Sequence, residues 1–379
     1  MKQLSAGSFC FLLSFLAKET AITFLAIIPL IFFLYMNENK KRAVYITIAT
    51  TLTAFICLMA RFMVLSHYQA NNISEIEFMD NALAKPGLPY GTRIATAILI
   101  SGDYAKLLFI PYPLICDYSY NSIPFANFND SGVIMSITFY FSLVFFCVIR
   151  LLNGRKDYYA FSILFFLITL SLVSNILFLI GTTMGERLLF FPSAGFCLLM
   201  ALLLEKLVGE KEKTAWQIIK HPGVLWTLIP ASVIYVFITI NRNNNWSNNY
   251  TLYSTDIKKS PGNSRLNYFM AIELNDYSAN EEKDPVKQTA IREEAKDYAK
   301  KALAIYPGYA NANIIAGIVF FNLGQYDSSL LYLHKALAIN PGNAVANNDI
   351  GNVFYELGKM DSAKKYQEIV QKNNQALVR

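Results

Sequence analysis

Cysteine, histidine and tryptophan are scarce in this chain, at 5, 3 and 3 of 379 residues, and only 16% of positions are charged. With so few thiol and imidazole ligands, the sequence predicts no metal site built from cysteine and histidine. Cys10, Cys57, Cys116, Cys147 and Cys197 all precede residue 200, and four of the five stand in apolar runs, where they read as small buried apolar residues. There is no glycine-rich phosphate loop, no HExxH and no Ser-His-Asp set that can be placed, so those catalytic classes leave no trace. No basic patch with interleaved aromatics occurs either, and no nucleic-acid partner is expected. What is present is apolar mass. Hydrophobic residues make up 54% of the chain, with 28 Phe and 23 Tyr, and the mean hydropathy is +0.33. That balance excludes a disordered chain or a disulfide-rich secreted fold and predicts a membrane protein with a soluble part.

Seven apolar stretches, residues 4–17, 20–36, 43–65, 132–152, 158–180, 188–204 and 224–240, read as spanning helices, most of them near the roughly 20 residues that a bilayer requires. Lys and Arg gather in three connections: Lys40, Lys41 and Arg42; Arg150, Arg155 and Lys156; Lys206, Lys211, Lys213 and Lys220. Alternate crossings put these on one side, which the positive-inside rule makes cytoplasmic. Residues 18–19, 66–131, 181–187 and everything after Asn241 then lie outside. Residues 93–110 (RIATAILISGDYAKLLFI) carry Arg93, Asp103 and Lys106 and read as an amphipathic helix on the outer surface rather than a crossing. Lys2 and the apolar run after it resemble a leader. However, Lys18–Glu19 leads straight into another apolar stretch with no small-residue cleavage site, so a span is expected there.

Beyond Asn241 the chain turns polar and repeats itself with a shift of 34 residues: Gly317 maps to Gly351, Phe320 to Phe354, Gly324 to Gly358, Asp327 to Asp361 and Pro307 to Pro341. This is the tetratricopeptide pattern. Gly317 lets two antiparallel helices approach, Leu323-Gly324 makes the turn, Ala336 packs on the next helix and Pro341 ends the unit. An earlier repeat runs from Arg265-Leu266-Asn267-Tyr268 through Ala295 and Ala302 to Pro307. It is longer by 12 residues, with the insertion expected around Asn280–Asp284. The expected fold class is therefore all-α: a polytopic helical membrane domain over residues 1–240, with an outer-face loop at 66–131, a linker at 241–262, and about three repeats as an α-solenoid over 263–379.

Four segments stand in a telling order: residues 14–23 (SFLAKETAIT), 107–124 (LLFIPYPLICDYSYNSIP), 185–197 (GERLLFFPSAGFC) and 241–252 (NRNNNWSNNYTL), followed by the repeats. Together they resemble the TMTC-like proteins, the transmembrane and tetratricopeptide-repeat protein O-mannosyltransferases of the GT-C superfamily, over nearly the whole chain. The resemblance implies an enzyme that moves a sugar from a polyprenyl-phosphate carrier to a Ser or Thr hydroxyl outside the cytoplasm, with the repeats near the protein acceptor and no further cofactor. In GT-C enzymes the acidic residues that serve catalysis lie in a loop well before the Lys-Glu motif, which here starts at Lys18. The expectation is thus a C-terminal portion of a longer polypeptide, or a shortened relative.

A phosphate-linked lipid needs cations at the membrane edge, and Lys18 and Arg187 are expected there. Glu19 and Glu186 beside them would orient each cation; the alternative is that both pairs are structural charges closing helix ends. For the base that takes the acceptor proton the candidates are Asp117 and then Asp103, with His67 a lone histidine after a helix. Asp117 alternatively caps a turn in a loop bracketed by Pro111, Pro113 and Pro124. Tyr90, Tyr104, Tyr112, Tyr118, Tyr120 and Phe125 stack on a sugar or form an interfacial belt. Arg242 and Trp246 read as an interface anchor. In the repeats, Asn311, Asn313, Asn347, Asn348 and Asn352 offer amides to a peptide, or form an exposed polar face. The rival expectation is a membrane-anchored tetratricopeptide adaptor without catalysis.

Overall fold

The computed structural model describes residues 2–35, 40–69, 77–153, 157–208 and 214–377, and every regular element among them is helical. Arg155, Lys156, Lys211 and Lys213 lie outside the described residues, as do the side chains of Lys40, Arg42 and His67. The chain forms two compact units, Met1–Tyr112 with Pro124–Ile238, and Pro113–Ile123 with Thr239–Arg379.

In the first unit α1 (Lys2–Ala17) and α2 (Phe24–Tyr35) both pack on α3 (Lys40–Gln69). There, Phe11, Phe15, Ala21, Ala54 and Cys57 form one buried cluster. Next, α4 (Tyr90–Phe109) packs on α5 (Ser131–Asn153), α5 on α6 (Tyr158–Ser171), and α6 on α7 (Phe190–Val208). The last contact is close because position 195 is glycine. A Cβ there would stand 2.7 Å from the Ser162 carbonyl oxygen and the Phe166 amide nitrogen. A short α8 (Ala215–Lys220) and the long α9 (Pro222–Asn245) complete the series, and the unit boundary falls inside α9.

Four helical segments are long and apolar enough to cross a membrane: Ala43–Val64, Ser131–Asn153, Glu186–Lys206 and Pro222–Asn245. Trp226, Val233 and Phe237 on α9 are exposed, an arrangement that suits lipid and not water. The other three expected spans form shorter helices, of 16 residues in α1, 12 in α2 and 14 in α6. Residues 158–180 were expected as one helix, but α6 stops at Ser171. Asn175 takes a left-handed conformation (φ 59°) and its side chain bonds the backbone of the returning loop in place of helix continuation. Of the cysteines, Cys57 and Cys147 are buried as read, whereas Cys10 and Cys197 lie on exposed helix faces.

The second unit corrects the expected linker at 241–262: α9 runs on to Asn245 and α10 (Asn249–Lys259) follows, capped by Asn248, whose side chain accepts from the Thr251 amide at 2.8 Å. Three helix pairs then stack. The first joins α11 (Ser264–Ile272), a π-helical turn (Glu273–Ser278) and α12 (Ala279–Glu281) to α13 (Pro285–Ile305). The second is α14 (Ala310–Asn322) with α15 (Tyr326–Ile339), and the third α16 (Ala344–Glu356) with α17 (Met360–Leu377). Gly324 and Gly358 both turn at φ 71°, which only glycine adopts freely. The extra residues of the first repeat are not a loop. They lengthen both of its helices, and the π-turn absorbs the change of phase.

Candidate functional site

Two short 3-10 turns carry the cations expected to meet a phosphate. Lys18, in extended backbone, opens Glu19–Thr23, and Gly185, also extended, opens Glu186–Leu189. The residues that follow each turn, Phe24 and Phe191, meet edge to face with ring centroids 6.0 Å apart. Two motifs remote in sequence thus share one end of the first unit. Lys18 and Arg187 are both exposed, and Glu186 is half-buried. Glu19 does not orient Lys18 as expected. Its carboxylate pairs with Arg61 of α3, because neighbouring side chains on extended backbone diverge. Arg61 is the one charged residue between Ala43 and Val64, and a charge in an apolar run needs a partner; that signal was available in the sequence.

The second turn is held from behind. The Gly185 amide donates to the Tyr104 hydroxyl at 2.9 Å, and Tyr104 is fully buried. Asn175 Nδ2 donates to the carbonyls of Thr182 and Thr183 at 3.1 and 3.0 Å, while its Oδ1 accepts from Ile180 N and Asn81 Nδ2, each at 2.9 Å. Asn81 Nδ2 also donates to the Ile180 carbonyl at 2.8 Å, and the Thr183 hydroxyl accepts from Ala82 N at 2.8 Å. Asn81, Asn175 and Thr183 are buried, and their polar groups replace the regular hydrogen bonds that these two loops lack. Nothing in the sequence distinguishes these asparagines from those in ordinary turns.

Asp103, next to Tyr104 on α4, lines a cleft of about 370 Å³ with Leu99, Lys106, Phe109, Ser136 and Phe139. Gly102 makes room for Ser136 on α5 against it. Burial pushes the Asp103 carboxyl above its usual range, and the Lys106 charge draws it part of the way back. A carboxyl raised in this way moves toward the range where it exchanges protons at neutral pH.

Asp117, the first candidate base, is occupied otherwise, and the capped-turn alternative is the one realised. It lies in the second unit, where Oδ2 accepts from the Ser119 amide at 3.0 Å, from the Ser119 hydroxyl and from Asn263 Nδ2 at 3.0 Å, and Arg265 stands 3.7 Å from Oδ1. Nearby, fully buried Asp256 gathers two of the four motifs. Arg242 grips it with two hydrogen bonds of 2.7 and 2.9 Å, the Cys116 amide donates at 2.7 Å, and Lys259 Nζ donates at 3.2 Å. Burial opposes the Asp256 charge, but Arg242 and these donors outweigh it and hold the carboxyl below the usual range. Burial, then the Asp256 charge, push the Cys116 thiol up to about 12, which makes it inert as a nucleophile. Arg242 also lies over the Trp246 ring, 5.5 Å from its centroid. These residues are a lock between residues 113–123 and α10, not an interface anchor.

Among the repeat asparagines, Asn313 and Asn347 are buried and donate to their own backbone, to Pro307 and Tyr309 and to Pro341 and Asn343 respectively. They fix the entry of each repeat and face no peptide. Asn311, Asn348 and Asn352 are exposed.

No family model matches the chain. A protein O-mannosyl-transferase of Caenorhabditis elegans is 31% identical over 182 residues, which is 46% of this chain and 23% of that protein. Protein O-mannosyl-transferase TMTC3 of Mus musculus is 26% identical over 238 residues, covering 60% of this chain and 24% of the relative. TMTC1 of the same species is 24% identical over 225 residues, 58% of this chain and 22% of its own length. The curated relatives of this chain are thus TMTC-family protein O-mannosyltransferases, and it spans about a quarter of their length. Among solved structures, a thermophilic TPR protein of Thermus thermophilus aligns with 49% of this chain and 93% of its own at 15% identity and a TM-score of 0.31. The crystal structure of MamA aligns with 34% of this chain and 88% of its own at 19% identity and a TM-score of 0.24.

Proposed function

We propose that this chain supplies the donor-phosphate and acceptor-holding parts of a membrane protein O-mannosyltransferase that draws its sugar from a polyprenyl-phosphate carrier. The observation that carries the reading is the Phe24–Phe191 contact, which brings the Lys18 and Arg187 turns together in a chain whose curated relatives are named for this activity. An acceptor Ser or Thr oxygen attacks the anomeric carbon, the bond from that carbon to the phosphate oxygen breaks, and the phosphate leaves with the electron pair. Lys18 and Arg187 offset the charge that gathers on it, and the acceptor proton passes to a carboxylate, for which Asp103 is the group in this chain with the suitable shift. Both turns and the repeats lie outside the cytoplasm in this reading, supported by the basic residues of the intervening connections.

The test is binding of labelled polyprenyl-phosphate mannose to the chain in lipid nanodiscs. Arg187→Ala and Lys18→Ala each weaken binding by about tenfold or more, the scale of one lost charge-assisted contact. Asp103→Asn leaves binding in place and slows transfer to a Ser/Thr peptide by about a hundredfold or more. Full donor binding by both cation variants overturns the proposal and leaves the helices as an anchor for the repeats.

A further inference from the structure

The three helix pairs of the second unit are sorted by charge. The first helices of the pairs, α11–α12, α14 and α16, pack against one another as one layer. They carry Glu273, Asp276, Glu281, Asp349 and Glu356 against the single cation Arg265, and α14 carries no charge. The second helices, α13, α15 and α17, bear nine Lys and Arg against six Asp and Glu. Solvation of exposed helices calls for no such sorting, so the field over the first-helix layer is a property of that face.

Within it one group lacks a partner. Asp349 Oδ2 is buried from solvent and accepts no hydrogen bond among the described residues, while Asn348 reaches Oδ1 only at 3.5 Å. Buried acceptors are paired in the great majority of cases, so an orphan oxygen marks a place that a donor completes. The surroundings favour a cation. Burial pushes the Asp349 carboxyl above its usual range, Asn348 pulls it back, and the charge of Asp276, two repeats earlier, raises it again. Asp276 sits in the π-helical turn, where it accepts from Asn275 at 2.6 Å, and Asn275 accepts in turn from Asn322 of α14 at 3.1 Å. Beside Asp349, the exposed stripe of α16 offers Val345, Asn348, Asn352 and Tyr355 at three- and four-residue spacing, which suits the amides and side chains of an extended peptide.

We propose that the first-helix layer docks an extended basic segment of the acceptor protein, with one lysine or arginine head group seated on the Asp349 carboxylate. The cation supplies the missing donor and offsets the mutual repulsion of Asp349 and Asp276. The proposal rests on the reading of the repeats as the acceptor-holding part.

The experiment measures fluorescence anisotropy of the full chain in nanodiscs with the labelled peptide Gly-Ser-Thr-Ser-Lys-Ser-Thr-Ser-Gly, and with peptides in which norleucine or glutamate replaces the lysine. The lysine peptide binds about tenfold or more tighter than the norleucine one, the scale of a charge-assisted contact. Asp349→Asn, which keeps shape and loses charge, erases that preference with an unchanged thermal midpoint, and Asp276→Asn reduces it. Equal binding of all three peptides, no binding of the lysine peptide, or a preference that survives Asp349→Asn each overturns the proposal. Donor binding is read on the same samples. An Arg187→Ala variant that keeps full donor affinity sinks the transferase reading alone, whereas a missing lysine preference sinks the docking reading alone.

Discussion

Asp256 and Asp103 are carboxylates displaced in opposite directions, and the sign of each shift fixes what acid does to the molecule. Asp256 is held below its ordinary range by Arg242, the Cys116 amide and Lys259, despite full burial. Such a group adds stability that is fully present above the unfolded value of about 3.9 and is lost as pH falls toward the lowered folded value. Asp256→Ala leaves Arg242 buried without its partner and destabilises the second unit by about 3–5 kcal/mol. Thermal unfolding followed against pH then shows the variant losing the acid limb that the parent displays. Asp103 is raised, so it stays protonated at a pH where ordinary carboxylates are charged. Transfer therefore declines on acidification above the usual carboxylate range, and a profile that stays flat down to about pH 4 rules Asp103 out as the base. The reversal between Asp117 and Asp103 has a physical reason. A sequence shows that a carboxylate stands in a proline-bracketed loop, but not that Ser119 and Asn263 converge on it.

At the scale of elements, what was legible followed periodicity. The repeats were readable because each position serves the same contact 34 residues later, and both Leu-Gly turns fall where the pattern puts them. The end of α6 and the course of residues 241–262 were not readable, because both depend on local side-chain bonds, of Asn175 in one case and of Asn248 with Asp256 in the other. Equivalent positions are also not energetically equal. A Cβ on Gly317 would lie 2.5 Å from Leu333 Cγ and 3.3 Å from the Ser329 carbonyl, whereas on Gly351 the nearest atoms are at 3.6 Å. Gly317→Ala therefore overpacks the α14–α15 contact and costs about 1–3 kcal/mol. Gly351→Ala meets ordinary contact and gains up to about 1 kcal/mol from helix propensity. Chemical denaturation of the two variants separates them by sign, and equal shifts would contradict the asymmetry of the two helix pairs.

For the whole molecule, the four motifs that carried the resemblance resolve into two pairings. Residues 14–23 and 185–197 converge at Phe24 and Phe191 in the first unit, and residues 107–124 and 241–252 converge at Asp256 in the second. Order along the chain gave no hint of this, since the paired segments are separated by more than a hundred residues in each case. The pairing assigns the two halves of the proposed reaction to different units, and each half then has its own structural support. Asn175→Ala removes the bonds to Thr182, Thr183, Ile180 and Asn81 that hold the approach to Arg187. Asp256→Ala frees residues 113–123 from α10. We expect Asn175→Ala to weaken donor-lipid binding by about tenfold, with faster amide exchange over residues 77–84 and 172–187, and to leave lysine-peptide binding unchanged. Asp256→Ala is expected to speed exchange over residues 113–123 and 249–259, and to leave donor-lipid binding unchanged. If either variant loses both activities while its exchange changes stay within one unit, donor and acceptor are not held separately, and the division of roles between the two units fails.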